Sequence, residues 1–372
     1  HSMALLQSNF ASTVVAPVNF VLMEGLLSAA RKRLPYFNGT LPGALEKARG
    51  AASVKWRRVE NLAVMTTALT ENTEGTTPAF GFGRSTVRPT ITDVTVAIVK
   101  YGNGISTTEE IDLFNVNSNS LALMDTLGEN AGHSLNTLMR NVFDGQTVII
   151  RIGNGSAGTS ATTYSSIAEA INLNDIRWSV NQLNKQSAMK FTPAGFGSTN
   201  VGSQPIRQSY YGICHVDVEE NVRALTGFIP VEQYGGYTET EPGEFGAVGG
   251  VRWCSTEIAP VITSGSSESA VAASFWNTGG AGQTSVAHDV YSTFIYGREA
   301  VGSIGLGENH AKEIYMGFDR VPTVELIQHK PGSSGVADPY NENGTLVWKA
   351  WFAGKRLNEN WLAKIQTLAS RY

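Results

Sequence analysis

Apolar and polar residues change rhythm several times along the chain, and each rhythm predicts an element. Residues 53–59 alternate, with Val54 and Trp56 on one face and Lys55 and Arg57 on the other, the two-residue period of a strand. Residues 92–101 alternate again, with Val94, Val96 and Ile98 on one side. Between them lies Thr70–Pro89, full of Thr, Gly and Pro, with few large apolar residues besides Phe80, Phe82 and Val87. Two strands flanking a long polar connection predict an extended hairpin with a mobile tip. From Asn117 to Phe143 the period changes. Leu123, Leu127, Ala131, Leu135, Leu138 and Val142 recur every three or four residues, and Asn117 or Ser118 can cap the start. A helix of about 27 residues would be about 40 Å long, natural for a spine on which lobes are mounted. Gly128 and Gly132 weaken it or allow a close crossing.

The rest of the pattern is shorter-ranged. Leu22, Leu26, Leu27 and Ala30 fall at helical spacing, and Pro35, Gly39, Pro42, Gly43 and Gly50 then break the chain. Residues 4–50 therefore read as an extended arm. Ile176, Val180 and Leu183 mark a helix over Asp175–Ala188, and Asp217 is the expected cap of a second over Asp217–Thr226. Tyr210–His215, Val251–Thr256, Val286–Gly297 and Ala300–Gly305 read as strands, and Pro230–Gly250 as a long loop whose acidic stretch Thr238–Glu244 is expected in solvent or against basic residues of a neighbour. Residues 165–300 thus predict a mixed α/β lobe. Late strands at Ile314–Leu326 and Leu346–Phe352 should return to the spine. Asp338-Pro339 begins a turn, Asn343-Gly344 offers a tight reversal, and Asn358–Ser370 reads as a short amphipathic helix. There is no internal repeat.

Composition narrows the class. The 372 residues suffice for a large core and more than one lobe. Charged residues are only 16% and glycine is high at 39, which suits extended loops and a surface that expects neighbours, because charge is depleted in interface cores. A net charge of −4 excludes a nucleic-acid binder held by bulk positive charge. Two cysteines, Cys214 and Cys254, are no disulfide framework and fit a reducing cytoplasm. Arg31-Lys32-Arg33 follows an apolar run instead of preceding it, the reverse of a signal peptide, and Asn9, Pro17, Asn19 and Glu24 spoil that run as a membrane span.

Candidate chemistry is thin. Gly153–Gly158 matches G-x-G-x-x-G, but the β-branched, polar Thr159–Ser166 follows where a helix should receive a pyrophosphate. His215-Val216-Asp217 and His288-Asp289 each offer two metal ligands without a third nearby. Cys214 and His215 are adjacent in a strand and point to opposite faces, so they cannot be a catalytic pair. The acidic pairs Glu109-Glu110 and Glu219-Glu220 are adjacent too, and do not face each other as a glycosidase requires. A hydrolase with scattered catalytic residues stays a distant alternative.

A resemblance explains more. Gly332-Ser333 with Gly335, Asp338-Pro339 and Asn341 run into Gly344, Trp348-Lys349-Ala350 and Arg356-Leu357-Asn358. Earlier come Val54–Val59, Thr66–Glu71, Tyr101-Gly102 with Ser106, Leu127-Gly128-Glu129 with Leu135-Asn136, Gly249–Arg252, and Tyr291 with Gly297 and Ala300. In this order, over roughly residues 50–370, the set resembles the major capsid proteins of the N-four-like podophage group. The Gly/Ser/Thr-rich inserts Gly153–Ser166 and Ile262–Gly282 depart from it.

The resemblance implies an α+β fold shared by tailed-phage coats, herpesvirus capsid floors and encapsulins. Its parts would be an arm at 4–50, an extended loop at 53–102, a peripheral domain at 103–164 and 301–372 around spine helix 117–143, and an axial domain at 165–300. It implies a coat protein that self-assembles, through pentamers and hexamers, into an icosahedral shell around double-stranded DNA. Assembly would take place in the host cytoplasm, without turnover, cofactor or metal and with no membrane partner. DNA contact would be non-specific, and a portal, a decoration protein or a separate scaffold are possible partners. An encapsulin-like shell storing an enzyme is the alternative within the fold. Some coats of this fold lock by isopeptide bonds from a loop lysine, but no lysine occurs between Lys55 and Lys100. Subunit contacts are therefore expected from Glu71, Glu74, Phe80, Phe82, Arg84 and Arg88 at the hairpin tip and from Arg31, Lys32 and Arg33 in the arm. Trp56, Leu127, Leu135, Asp338, Gly344 and Trp348 are expected to be structural.

Overall fold

The computed structural model describes residues 34–43, 53–60, 62, 64, 66, 89–110, 120–146, 149–151, 167, 169–191, 208–233, 243–262, 289–304, 324–329, 340 and 342–369. In chain order the elements are β1 (Leu41–Gly43), β2 (Ser53–Val59), β3 (Ile91–Ala97), β4 (Val99–Thr108), α1 (Ser120–Asp144), β5 (Ile149–Arg151), α2 (Leu173–Lys185), β6 (Tyr210–His215), α3 (Val216–Arg223), β7 (Ile229–Pro230), β8 (Glu244–Val248) and β9 (Val251–Thr256). There follow β10 (Val261–Ile262), β11 (Val290–Tyr296), β12 (Val301–Ile304), β13 (Val324–His329), β14 (Asn343–Phe352), β15 (Gly354–Arg356) and β16 (Leu362–Thr367).

The largest sheet runs β5-β16-β11-β6-β9-β8-β7, with β10 paired to β11. Strand alternation divides its side chains between two cores. Tyr210, Cys214, Trp253, Ile295, Ala363 and Ile365 meet Ile176 and Leu183 of α2 and Val218 and Val222 of α3. On the opposite face, Tyr211, Ile213, Phe294, Tyr296 and Leu362 meet Tyr36 and Met139 and Phe143 of α1. Covered on both sides, the strands of this sheet need no polar face.

A second sheet, β13-β14-β4, lies against the first half of α1, where Leu127, Ala131 and Leu135 pack on Leu346, Trp348 and Ala350. The Trp348 indole N–H donates to Asn130 Oδ1 at 3.1 Å and ties the sheet to the helix. The 25-residue α1, about 37 Å long at 1.5 Å per residue, thus touches two cores in succession. Met139 and Phe143, outside the expected apolar stripe, face the second core and are fully buried.

Four expectations are corrected. Asn358–Ser370 is not a helix: Glu359–Trp361 is a 3-10 turn and Leu362–Thr367 is strand β16, buried at every position between β5 and β11. Its Lys364 gives the segment an amphipathic look, yet the ammonium is buried and lies 2.6 Å from Asp144 Oδ1, at the C-terminus of α1 where a cation is favoured. Through the strand pairings of β16, β5 and β16 lie in one sheet with the strands of residues 210–296. Helix α3 is capped by His215, whose Nδ1 accepts from the Asp217 N–H at 3.1 Å, and not by Asp217. Asn343-Gly344 is no reversal but the start of β14, paired with Thr108 and Thr107. Glu244 is not in solvent: it is buried in a pair with Arg252, with Oε2 2.5 Å from Nη2, and Arg252 also donates to the Tyr211 hydroxyl.

Candidate assembly surface

A two-stranded ribbon, β2 with β3, stands out from these sheets, pairing Ser53 with Ala97 through to Val59 with Ile91. Its inner face holds it to the body. Val54 and Trp56 pack on Ile304 and Ala353, with Leu41, Val96, Ile98 and Leu357 around them. The Trp56 ring fits because two glycines face it. A Cβ on Gly43 would lie 2.8 Å from Trp56 Cζ2, and one on Gly302 2.8 Å from Cε2. These two glycines belong to β1 and β12, neighbours in the three-stranded sheet β1-β12-β15. Arg58 adds a polar tie, donating from Nη1 to the Leu357 carbonyl at 3.0 Å and from Nη2 to Glu60 Oε1 at 2.5 Å. Thr92 also donates to Glu60 Oε1, and the Arg58 contact holds the Glu60 carboxyl below its ordinary range.

The outer face is different. Lys55 Nζ lies 2.5 Å from Asp93 Oδ2 and Arg57 Nε 3.0 Å from Oδ1. The hydrogen bond from Arg57, then that from Lys55, lowers the Asp93 pKa, and the same contact raises that of Arg57. Beyond this cluster, Val59 and Ile91 form an exposed apolar pair.

Between the ribbon and the body lies a cleft of about 460 Å³, lined among others by Trp56, Val59, Val94, Met189, Leu357 and Trp361. Ser187 and Glu299, also in its wall, hold left-handed backbone at φ 55° and 63°, unusual for residues other than glycine.

The other sequence-derived candidates distribute as follows. Trp56, Leu127, Leu135 and Trp348 are buried, as is Gly344 at the head of β14. Arg31, Lys32, Arg33, Glu71, Glu74, Phe80, Phe82, Arg84, Arg88 and Asp338 lie outside the described residues, as do the Gly153–Gly158 motif and His288. Cys214 and Cys254 are buried free thiols, and burial raises the Cys214 pKa well above its ordinary value. His215 is used as a helix cap. Among the described residues no group of three or more His, Cys, Asp or Glu could hold a metal ion, and no helix is long and apolar enough to cross a membrane.

The whole arrangement has known counterparts. The capsid of Ralstonia phage GP4 superposes at a TM-score of 0.61 with 12% identity, over 91% of this chain and 92% of that one. The chain has the phage capsid fold. The capsid structure of the cyanophage P-SCSP1u matches at 0.52 with 11% identity, over 91% and 90% of the two chains. The cyanophage Pam1 capsid matches at 0.51 with 13% identity, over 92% and 93%. No protein-family model matches the sequence, and no curated protein matches it. Within the capsid fold, Lys55, Arg57, Asp93, Val59 and Ile91 share the outer face of the ribbon, and Arg57 and Val59 also line the cleft. Alternation in 53–59 had already put Lys55 and Arg57 on one side, whereas their partners on β3 follow only from the strand register.

Proposed function

We propose that this chain is the major coat protein of a tailed phage, of the N-four-like podophage type its sequence resembles, and that many copies close an icosahedral shell around double-stranded DNA. The observation that supports this most is the capsid fold extending over nine-tenths of both chains in the comparison with the Ralstonia phage GP4 capsid. The role is structural and needs no turnover or cofactor. Residues 4–50 serve as an arm and the β2–β3 ribbon as the extended loop. Helix α1 with β4, β13 and β14 forms the peripheral part, and the large sheet, with β5 and β16 included, the axial part. Copies meet as pentamers and hexamers. A portal, a decoration protein or a separate scaffold join the same shell, and DNA is met by non-specific contact with its charge balanced by counterions. Assembly takes place in the host cytoplasm and the product is the virion capsid.

The ribbon's distal residues, Glu71, Glu74, Phe80, Phe82, Arg84 and Arg88, clamp a neighbouring copy, and Arg31-Lys32-Arg33 contacts a neighbour or packaged DNA. Exposed ion pairs are individually weak, so aromatic contact and multiplicity supply most of the hold. Negative-stain microscopy and light scattering of the purified chain across concentration test the reading. Rings or shells are expected, and a strict monomer at every concentration and salt would refute it. Replacing Asn72–Thr86 by a short Gly-Ser turn should leave a folded protein that closes no shells; normal shells would remove the clamp.

A further inference from the structure

We propose that Asn103-Gly104, on the open edge of the β13-β14-β4 sheet, is a self-modifying site. The side-chain amide of Asn103 is lost to its own backbone, and the aspartate or isoaspartate that replaces it releases the tie between this sheet and helix α1. The modification needs only water and does not rest on the shell-building reading.

Asparagine followed by glycine suits this chemistry, because glycine has no side chain to shield its nitrogen. The chain has four such pairs, beginning at Asn38, Asn103, Asn154 and Asn343. The three among the described residues differ in access: Gly344 is buried and Gly39 half-buried, whereas Asn103 and Gly104 are both exposed. The strand register adds a second difference. Strand β4 pairs with β14 alone, so among the described residues its other edge is open. The Glu109 N–H donates to the Glu342 carbonyl just past the end of the ladder, and bonded and non-bonded positions alternate along an antiparallel pair. Counting back from Glu109 through the unbroken register, Thr107, Ile105 and Asn103 bond to β14, and Gly104 turns its N–H to the open edge. There it donates to Asn103 Oδ1 at 2.9 Å. The nitrogen that must attack is therefore outside the ladder and already against the side-chain carbonyl that it attacks. Packing explains why glycine stands at this position: a Cβ on Gly104 would lie 2.5 Å from Val347 Cγ2 and 3.1 Å from the Leu346 carbonyl oxygen. The reactive pair comes with the close approach of the two strands.

The step balances with water alone. The Gly104 nitrogen gives its proton to hydroxide and bonds to Asn103 Cγ. The Cγ–Nδ2 bond breaks, and Nδ2 leaves as ammonia with a proton from water, which restores the hydroxide. Water then opens the cyclic imide. Attack at Cγ leaves an aspartate on the original backbone, and attack at the main-chain carbonyl carbon routes the chain through the side chain as isoaspartate. Nothing is oxidised or reduced. The consequence falls on Asn130, whose Oδ1 accepts both from Asn103 Nδ2 at 3.2 Å and from the Trp348 indole N–H at 3.1 Å. Either product puts a carboxylate, which has no N–H to give, where the donor was. Asn130 then meets that carboxylate with its own Nδ2, and its Oδ1 leaves the indole. Trp348 is 2% exposed, so the abandoned N–H is left buried without a partner, the costly state for a polar group.

The test uses the folded full chain, kept warm at mildly alkaline pH and sampled over time by peptide mass mapping. The peptide carrying Asn103 should gain one mass unit several-fold faster than those carrying Asn38 and Asn343, and faster still as pH rises, because hydroxide takes the first proton. Isoaspartate methyltransferase with a labelled methyl donor should label the same peptide. Asn103→Gln, which would have to close a larger ring, should stay unmodified there and keep the wild-type melt. Asn103→Asp should melt earlier than wild type and speed hydrogen exchange at the Trp348 indole N–H, read by NMR, and the aged wild-type chain should shift the same way. A folded chain that gains no mass at Asn103 while the urea-unfolded chain does would overturn the site, because the strand would then protect the pair. An Asn103→Asp chain with wild-type melt and wild-type indole exchange would overturn the release of the tie.

Discussion

Strand β16 and the strands of the β2–β3 ribbon are of similar length and meet opposite fates. Every residue of β16 is buried, with a strand on each side and a core on each face. The ribbon buries Val54 and Trp56 and turns Lys55, Arg57, Val59 and Ile91 outward. The large sheet completes itself within one chain, whereas the ribbon leaves its outer side chains exposed. A protein divided in this way separates folding from assembly. Damage to the sheet should abolish the monomer, and damage to the outer face of the ribbon should spare it.

The sharpest way to break this contrast is Phe294→Ala. Phe294 is fully buried and packs edge-on against Tyr36 and Phe143, with centroids 6.1 and 5.8 Å away, so it joins the sheet, α1 and the segment before β1. Truncating such a ring costs about 3–5 kcal/mol. Urea titration of the monomer should show a loss in that range, and a loss under 1 kcal/mol would mean that the shared core is not where stability resides. Leu127→Ala and Leu135→Ala come next. Both side chains face the core between α1 and β14, and each change should cost about 2–5 kcal/mol. If neither shifts the melting temperature, the inward face of α1 is misassigned.

The same contrast explains what could be read from the sequence. The ribbon was legible because one face is wet and the other dry, which writes a two-residue period into the chain. Strand β16 was not, because burial on both faces erases the period, and one lysine paired with Asp144 imitates an amphipathic helix. The spine helix was found from Leu127, Ala131 and Leu135, but Met139 and Phe143 point to a second core. A single-stripe pattern cannot anticipate a helix that serves two cores. As for the candidate surface, Lys55 and Arg57 were visible as a shared side, yet Asp93 and the Val59–Ile91 pair depend on the register of two strands separated by a long connection. No local signal carries that register.

Asp175 tests the self-sufficiency of the lobe from the stabilising side. It sits in the first turn of α2, 2% exposed, and its Oδ2 has no hydrogen-bond partner. Burial raises its pKa from 3.8 to about 6, with repulsion from Glu169 adding to the effect and hydrogen bonds at Asn172 opposing it. Between those values the folded chain binds the proton more readily than the unfolded one. Stability therefore falls as pH rises from about 4 to 6, and the deficit is complete above that window. At about 1.4 kcal/mol per pH unit, ionised Asp175 costs the fold up to about 3 kcal/mol. Asp175→Asn should raise stability at pH 7.5 by an amount approaching this and lose its advantage below about pH 4. A gain that did not shrink on acidification would place the effect elsewhere.

The smallest effect on folding is expected from Asp93→Asn. This carboxylate receives Lys55 and Arg57 on the open face of the ribbon, and its pKa is lowered by those two hydrogen bonds. The sign of the linkage is that of a depressed carboxyl: whatever stability the contact gives is present at neutral pH and fades as acid protonates Asp93. In water, such exposed contacts contribute little to folding, so the substitution should leave the thermal melt at neutral pH unchanged within error. It should nevertheless alter how copies meet, because it leaves Lys55 and Arg57 unopposed and makes the outer face more positive. If that face docks on carboxylates of a second copy, the Asp93→Asn chain should assemble at lower protein concentration than wild type in dilute salt. The advantage should vanish as added salt screens the charges over roughly 8–10 Å. A chain that melted earlier would show that Asp93 belongs to the fold. One that melted normally and assembled with unchanged salt dependence would show that charge on this face plays no part in assembly.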